Sequence, residues 1–309
     1  MKLLVTGANG LLGQKLVLLL ETDPGISCIA TAKNPLTYRT KKSQFHSLDI
    51  TKPEQTEKII QGSKPDFVIN TAAMTQVDRC ETERKACWRA NVTAVEYLVT
   101  ACENTGSHLI HISTDFVFDG SRGPLDETSI PNPVNYYGES KLAGEEILKK
   151  SKIDWSILRT VLVYGVTPDM SRSNIVLWIK KSLEDKKTIS VVNDQWRTPT
   201  LAEDLAMACY LAVKKKAKGI YHVSGSEMMT PYDIAIQTAD HFKLDKLLVQ
   251  TTDSNHFKQP ARRPLKTGFI IDKAKKDLGY TPHTFKEGLL IVAEQLRAFG
   301  RQDQSGTGY

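Results

Sequence analysis

The chain has 309 residues, 40% of them hydrophobic and 25% charged, which suits one large α/β domain with a smaller lobe attached. No apolar run approaches the roughly 20 residues that a membrane-crossing helix needs, so no membrane partner is expected. The net charge of +6, from 41 basic and 35 acidic residues, is compatible with a phosphate-bearing ligand but makes no case for nucleic acid.

The segment Met1–Gly7 reaches its glycine after too few apolar residues for a signal-peptide core. It reads as a first strand, and a cytoplasmic protein is expected. Cys28, Cys80, Cys87, Cys102 and Cys209 are odd in number and scattered, which favours free thiols over a disulfide framework or a zinc site. No spacing suggests ligands for any other metal. Glu203-Asp204 reads as the acidic first turn of a helix, and Lys214–Lys218 as a basic helix end.

In chain order, Lys2–Thr6 reads as a strand, followed by a glycine-rich turn and a helix over Leu11–Leu20. Strands are expected at Ser27–Thr31, Asp66–Asn70, His108–Ser113 and Trp155–Arg159, and Asp49-Ile50 closes a candidate short strand. Helices are expected at Pro53–Gln61, Ala86–Asn104 and Gly138–Lys150. Apolar strands alternating with helices predict a parallel sheet covered on both faces. After about Gly165 the rhythm becomes irregular: strands at Ile189–Val192 and Ile220–Val223, and helices at Ala202–Val213, Pro231–Phe242 and Phe285–Phe299. The expected division is 1–165 for a dinucleotide-binding domain and 166–309 for a substrate lobe, with the stretch around 188–222 free to return to the first domain. Gly300–Tyr309 is expected to fray.

Between the first strand and first helix, Gly7, Gly10 and Gly13 stand at G-x-x-G-x-x-G spacing. Such glycines allow a tight turn, close approach of a diphosphate and close helix packing. The amides of Asn9, Leu11 and Leu12 and the helix dipole complete an anion cradle. This is the turn of a Rossmann-type doubly wound parallel sheet, here with a smaller mixed α/β substrate lobe. After the second strand no carboxylate follows at once; Lys33 does, with Arg39, Lys41 and Lys42 further on. NADPH is therefore the expected cofactor, with NADH the alternative. Asp49 and Ile50 are expected beside the adenine.

Tyr137 and Lys141 form Y-x-x-x-K, which puts both side chains on one helix face. A nearby ammonium lowers the pKa of a phenol, which is ordinarily about 10, so Tyr137 reads as proton donor. Upstream, Ser113-Thr114-Asp115 leaves the end of a buried strand, where α/β folds bind ligands. Ser113 is expected at the cofactor, and Thr114 as the group that polarises a carbonyl.

These pieces, with NTAAMTQVDRCE (Asn70–Glu81), Asn91, HISTDFVFDG (His111–Gly120), PVNYYGESKLAGE (Pro133–Glu145), LRTVLVYG (Leu158–Gly165), NDQWRTPT (Asn193–Thr200) and Arg262–Pro264, resemble the extended short-chain dehydrogenase/reductase family. The resemblance runs nearly the whole chain and is closest to the dTDP-4-dehydrorhamnose reductases. It implies that Thr71, Ala72, Ala73 and Asn91 serve the cofactor and that Thr114, Tyr137 and Lys141 form the catalytic trio. It also implies that Met74, Thr75, Asp115, Gln195, Trp196, Arg197 and Thr200 face a nucleotide-sugar. Arg263 or Arg262 would meet the diphosphate. A homodimer is compatible with this reading.

The chain departs from that pattern at Phe116, where an aromatic hydroxyl is usual, at Leu162, near which a tryptophan is usual, and at Arg197, where glycine is usual. The stretch around Arg197 is similar to that of the methionine adenosyltransferase regulatory β subunit. The leading expectation is reduction of a 4-keto-deoxysugar nucleotide, most specifically dTDP-4-dehydrorhamnose to dTDP-L-rhamnose. The competing readings are a cofactor-binding regulatory subunit and an NAD-dependent epimerase or dehydratase. Dehydration is disfavoured because Thr114 is followed by Asp115-Phe116 rather than an Asp-Glu pair.

Overall fold

A computed structural model describes residues 1–168, 174–256 and 259–305. Its strands in chain order are β1 (Lys2–Thr6), β2 (Ser27–Ala32), β3 (Gln44–Ser47), β4 (Phe67–Asn70), β5 (His108–Thr114), β6 (Trp155–Thr160), β7 (Val163–Tyr164), β8 (Ile189–Val192), β9 (Thr200–Leu201), β10 (Gly219–His222) and β11 (Val249–Thr252). Seven of these form one parallel sheet in the order β10-β6-β5-β4-β1-β2-β3. Leu4 pairs with Ile29 on one side and Val68 on the other, so β1 lies where the chain reverses its direction of travel across the sheet. Ligands of open parallel sheets bind at that reversal, beyond the strand C-termini.

Both faces of the sheet are covered. Leu3, Val5 and Ile110 pack with the helices Leu11–Leu20 and Ala202–Lys214, while Leu4, Val68 and Leu109 pack with Ala94–Thr105 and Tyr136–Lys150. Strands buried on both sides need continuous apolar runs, which is why they are legible as such. A second body is built from helices Ile175–Glu184 and Pro231–His241, the start of helix Phe285–Ser305, and the parallel pair β8-β11.

β10 joins the main sheet beside β6, and residues such as Leu205, Phe269 and Leu278 enter its core, so residues from both sides of Gly165 build the first body. Three expectations are corrected. The third strand is Gln44–Ser47, and Asp49-Ile50 lie in the turn after it. The expected helix Ala86–Asn104 is three segments: Arg84–Trp88, a π-helical turn over Arg89–Thr93, and Ala94–Thr105. At the wide turn the helix Tyr136–Lys150 approaches closely, and a Cβ on Gly144 would stand 2.7 Å from Asn91 O. The last helix runs Phe285–Ser305, past the expected point of fraying, and 306–309 lie outside the described residues.

Candidate active site

The glycine turn is built by sterics. Gly7 has φ +68°, and a Cβ there would stand 2.8 Å from Ala72 N. A Cβ on Gly13 would stand 2.2 Å from Gly7 O, so only glycine lets the helix sit this close to the strand end. The first-turn amides of helix Leu11–Leu20 have no acceptor within the helix and no side-chain cap, and Gly10 and Leu11 at its start line the cleft above. That cleft holds about 500 Å3 and is lined by Gly7, Asn9, Gly10, Leu11, Lys33, Asp49, Ile50 and Thr71–Ala73. Ala32, Asn34, Thr37, Leu48, Gly165, Thr167, Asn174 and Leu177, which sequence reasoning missed, complete the lining. The Tyr164-Gly165 step after β7 was the available signal for Gly165.

Several expected cofactor residues have other duties. Asn9 donates to Asn34 O and Pro35 O and accepts from Thr37 N, stapling the turn to the loop after β2. The Leu12 side chain is buried in the core beneath the turn. Lys33 is exposed at the rim and pairs with Asp49 at 3.2 Å. Asn91 accepts from Met74 N (2.8 Å) and donates to Met74 O (3.0 Å) and Ser140 Oγ (3.0 Å), so it ties the Thr71–Met74 strip to the Tyr137 helix. Ser113 Oγ donates to Glu145 Oε1 at 2.6 Å, so its hydroxyl is committed to the helix Tyr136–Lys150.

Asn135 caps the helix Tyr136–Lys150 by accepting from Gly138 N, which places Tyr137 in the first turn. The Thr114 hydroxyl donates to Asp115 Oδ1 (3.1 Å) and accepts from Phe116 N (3.3 Å), and it faces the Tyr137 phenol. Burial pushes the Tyr137 pKa up, against a smaller lowering by Thr114. Lys141 is buried, and burial brings its pKa down to about 8. Its Nζ donates to Ile112 O (2.7 Å) and lies 3.1 Å from His111 Nε2, so among the described residues no hydrogen bond joins it to Tyr137. Burial, rather than this lysine, dominates the phenol's pKa.

A second cleft of about 740 Å3 is lined by Asp115, Phe116, Leu162, Trp178, Gln195, Arg197 and Arg263, and it shares Asn174 with the first. Leu162 enters it from a left-handed backbone, φ +39°, a conformation that costs a branched residue strain. Arg197 is buried and donates to Trp196 O, Leu265 O and Pro264 O, with Nε 3.5 Å from Asp115 Oδ2. Burial raises the Asp115 pKa, opposed by Arg197 and by Thr267, which hydrogen-bonds the same carboxylate. Arg263 makes a two-pronged pair with Asp78, both contacts at 2.9 Å. Arg197 and Arg263 thus line the cleft expected to face a nucleotide-sugar, with both guanidiniums already engaged by protein groups.

Of the other expected substrate residues, Gln195 lines the cleft. Trp196 instead pairs its backbone with Leu265 and Thr267, and Thr200 is buried, donating to Val161 O. Met74 packs on Cys80, Cys87 and Tyr137, and Thr75 is exposed. The cysteines are free and buried, and among the described residues no group of His, Cys, Asp and Glu could hold a metal ion. Among the described residues no helix is long and apolar enough to cross a membrane.

A glycine cradle at the sheet's reversal point, with Thr114, Tyr137 and Lys141 beside it, defines an oxidoreductase of the extended short-chain dehydrogenase/reductase class. The chain belongs to the family described as RmlD substrate binding domain, whose model matches residues 1–298. It is 32% identical over 300 residues to a dTDP-4-dehydrorhamnose reductase of Aggregatibacter actinomycetemcomitans, covering 93% of this chain and 97% of that protein. It is 33% identical over 248 residues to methionine adenosyltransferase 2 subunit beta of Xenopus laevis, covering 78% of this chain and 72% of that one. Its structure matches that of a dTDP-4-dehydrorhamnose reductase from Bacillus anthracis str. Ames in complex with NADP, at TM-score 0.82 and 28% identity, over 95% of this chain and 99% of the other.

Proposed function

We propose that this chain uses NADPH to reduce the 4-keto group of a deoxysugar nucleotide, specifically dTDP-4-dehydrorhamnose to dTDP-L-rhamnose. The single observation that carries the reading is the junction of the two clefts. They share Asn174, and residues adjoining Thr114 line the second of them. The B. anthracis relative solved with NADP supports the cofactor, and the glycine cradle and Lys33 fit a phosphate-rich dinucleotide. When bound, the reduced nicotinamide supplies the hydride for the carbonyl carbon.

This chain's residues would do the rest. Thr114 donates a hydrogen bond to the carbonyl oxygen and polarises it. Tyr137, whose raised pKa keeps the phenol protonated at neutral pH, delivers the proton to the developing alkoxide. Lys141 would hold the ribose of the bound cofactor and offset the charge of the phenolate left behind.

Mixing the purified protein with NADPH and dTDP-4-dehydrorhamnose tests the reading. One NADPH consumed per dTDP-L-rhamnose formed supports it. Cofactor binding without reduction across a panel of keto-sugar nucleotides overturns it and favours a regulatory role, the reading that the match to methionine adenosyltransferase 2 subunit beta supports.

A further inference from the structure

Behind the site, Thr6, Asn70 and His111 connect the cofactor cleft to Lys141, and all of these side chains are sealed from solvent. Thr6 Oγ1 donates to Asn70 Oδ1 (2.6 Å), Asn70 Nδ2 lies 3.1 Å from His111 Nδ1, and His111 Nε2 lies 3.1 Å from Lys141 Nζ. At the cleft end, Ala72 N donates to Thr6 Oγ1 (3.4 Å) and Thr71 Oγ1 to Thr6 O (2.6 Å), and both Thr71 and Ala72 line the cofactor cleft.

Counting hydrogens fixes what this line can mean. A neutral imidazole has one donor and one acceptor, an ammonium only donors, and an amine one lone pair. With the Thr6 hydroxyl on the amide oxygen, the Asn70 NH2 faces His111 Nδ1, which must then be the acceptor. The ring proton sits on Nε2 and points at Lys141 Nζ, where only the neutral amine can accept it. If Lys141 is an ammonium, the polarity reverses. Nζ donates to Nε2, the ring proton moves to Nδ1, and the Asn70 amide turns over to present its oxygen there, its NH2 now donating to Thr6 Oγ1 while the Thr6 hydroxyl proton rotates away. Any mixed arrangement sets donor against donor or lone pair against lone pair where no water can intervene.

The ring itself stays neutral, because burial and Lys141 hold its pKa well below the usual 6.5. Lys141 is the member that titrates, near pH 8. Glu145 on its own helix and Cys87 on the helix Arg84–Trp88 face it and favour its charged form.

We propose that His111 is a positioning residue for Lys141. Its neutral ring exchanges tautomers as the lysine gains or loses its proton, and Asn70 turns with it, so the charge of Lys141 is relayed to the Thr6 end of the cofactor cleft. The catalytic meaning of this relay depends on the reductase reading given above; the relay itself does not.

Ring-15N histidine NMR of the cofactor-free, full-length protein tests it, with His111→Gln identifying the signals. The expected result is a change from the Nδ1–H form on the acid side to the Nε2–H form on the alkaline side, with its midpoint near pH 8. Lys141→Met should abolish the change. Lys141→Arg, a permanent donor, should hold the Nδ1–H form throughout and serves as the check if the methionine variant does not fold. One tautomer at every pH in the native chain, or an unaltered transition in either variant, overturns the relay. The tautomer change in a protein that reduces no keto-sugar supports the relay while sinking the proposed function. Turnover with a fixed tautomer does the reverse.

Discussion

Glu145 and Arg159 form a two-pronged ion pair behind strand β5, with Nε 2.9 Å from Oε1 and Nη2 2.6 Å from Oε2. The side chains are 0% and 1% exposed, and Ser113 donates to the same carboxylate. The pair fixes the strand end that carries Thr114 against the helix that carries Tyr137 and Lys141. Removing one partner leaves a buried charge uncompensated, so Arg159→Met or Glu145→Gln should cost roughly 3–5 kcal/mol. The double substitution should cost clearly less than the sum of the two. Urea denaturation of all three variants measures this, and simple additivity would show that the two charges do not act as a pair.

Tyr137→Phe removes one hydroxyl and keeps the ring that meets Phe116 edge-on at 5.6 Å. Stability should therefore change little, while the reduction rate falls by roughly 10²–10⁴-fold through loss of the proton donor. Thr114→Val also removes the acceptor for Phe116 N, so it should lower both the rate and, by about 1 kcal/mol, the stability. Steady-state kinetics beside thermal melts separate the two effects. A Tyr137→Phe protein of native rate would remove the phenol from the mechanism.

The contrast between these residues and Glu145 shows what could be read in advance. The alternation of strands and helices, the three glycines and the Tyr137–Lys141 spacing are local consequences of sterics and helix geometry, and all are visible along the chain. Partner choice is not local. Nothing near Ser113 says that its acceptor is Glu145, and nothing near Arg197 says that the carbonyls of Pro264 and Leu265 await it. The π turn at Asn91 escaped for a related reason: widening a helix by one residue leaves its apolar spacing almost unchanged. The return of β10 to the main sheet depends on which edge is open, a property of the assembled sheet.

Lys33 and Asp49 stand together at the rim of the cofactor cleft, and they should tune its preference in opposite senses. A 2′-phosphate would compete with Asp49 for the ammonium, while a 2′-hydroxyl would use the carboxylate as acceptor. Lys33 is 74% exposed, so its contribution is bounded by solvent screening. Lys33→Ala should reduce the preference for NADPH over NADH by about 5-fold, the equivalent of about 1 kcal/mol. Asp49→Asn should increase it. Comparing kcat/KM with the two cofactors checks this; equal ratios in all proteins would mean that the selecting group lies elsewhere.

Arg197 occupies the base of the second cleft with its donors directed at three backbone carbonyls and its Nε near Asp115. Arg197→Gly should strand those carbonyls and leave Asp115 buried beside Thr267 without its cation, at roughly 3–5 kcal/mol. Lys should rescue poorly, since one ammonium cannot reproduce a planar fork. If the variant remains folded, the lost side-chain volume next to Phe116 should alter KM for keto-sugar nucleotides more than kcat. Denaturation and kinetics on the same preparations test both halves. A glycine variant of native stability would show that the clamp does not hold the segment Pro264–Leu265.

His222 makes stability depend on acid. Its ring stacks on Phe269 with centroids 3.8 Å apart, Nδ1 donates to Leu125 O at 3.0 Å, and Nε2 lies 3.5 Å from Arg159 Nη1. Burial first, and then the Arg159 charge, hold its pKa down at about 3. In the unfolded chain the same ring takes a proton near the usual value of about 6.5. Between these values the unfolded state binds more protons than the native state, so stability is full above about pH 6.5 and falls as the pH drops through the window. The slope is about 1.4 kcal/mol per pH unit for each histidine that behaves this way. His108, held at about 4 by burial, adds its own share over a narrower range. Urea denaturation at a series of pH values should therefore show a steep acid limb. His222→Gln, which cannot titrate, should flatten that limb by roughly one proton while lowering stability at neutral pH through the lost ring contacts. An acid limb of unchanged slope in this variant would mean that His222 is already protonated in the native fold, and that Arg159 tolerates a second cation at 3.5 Å.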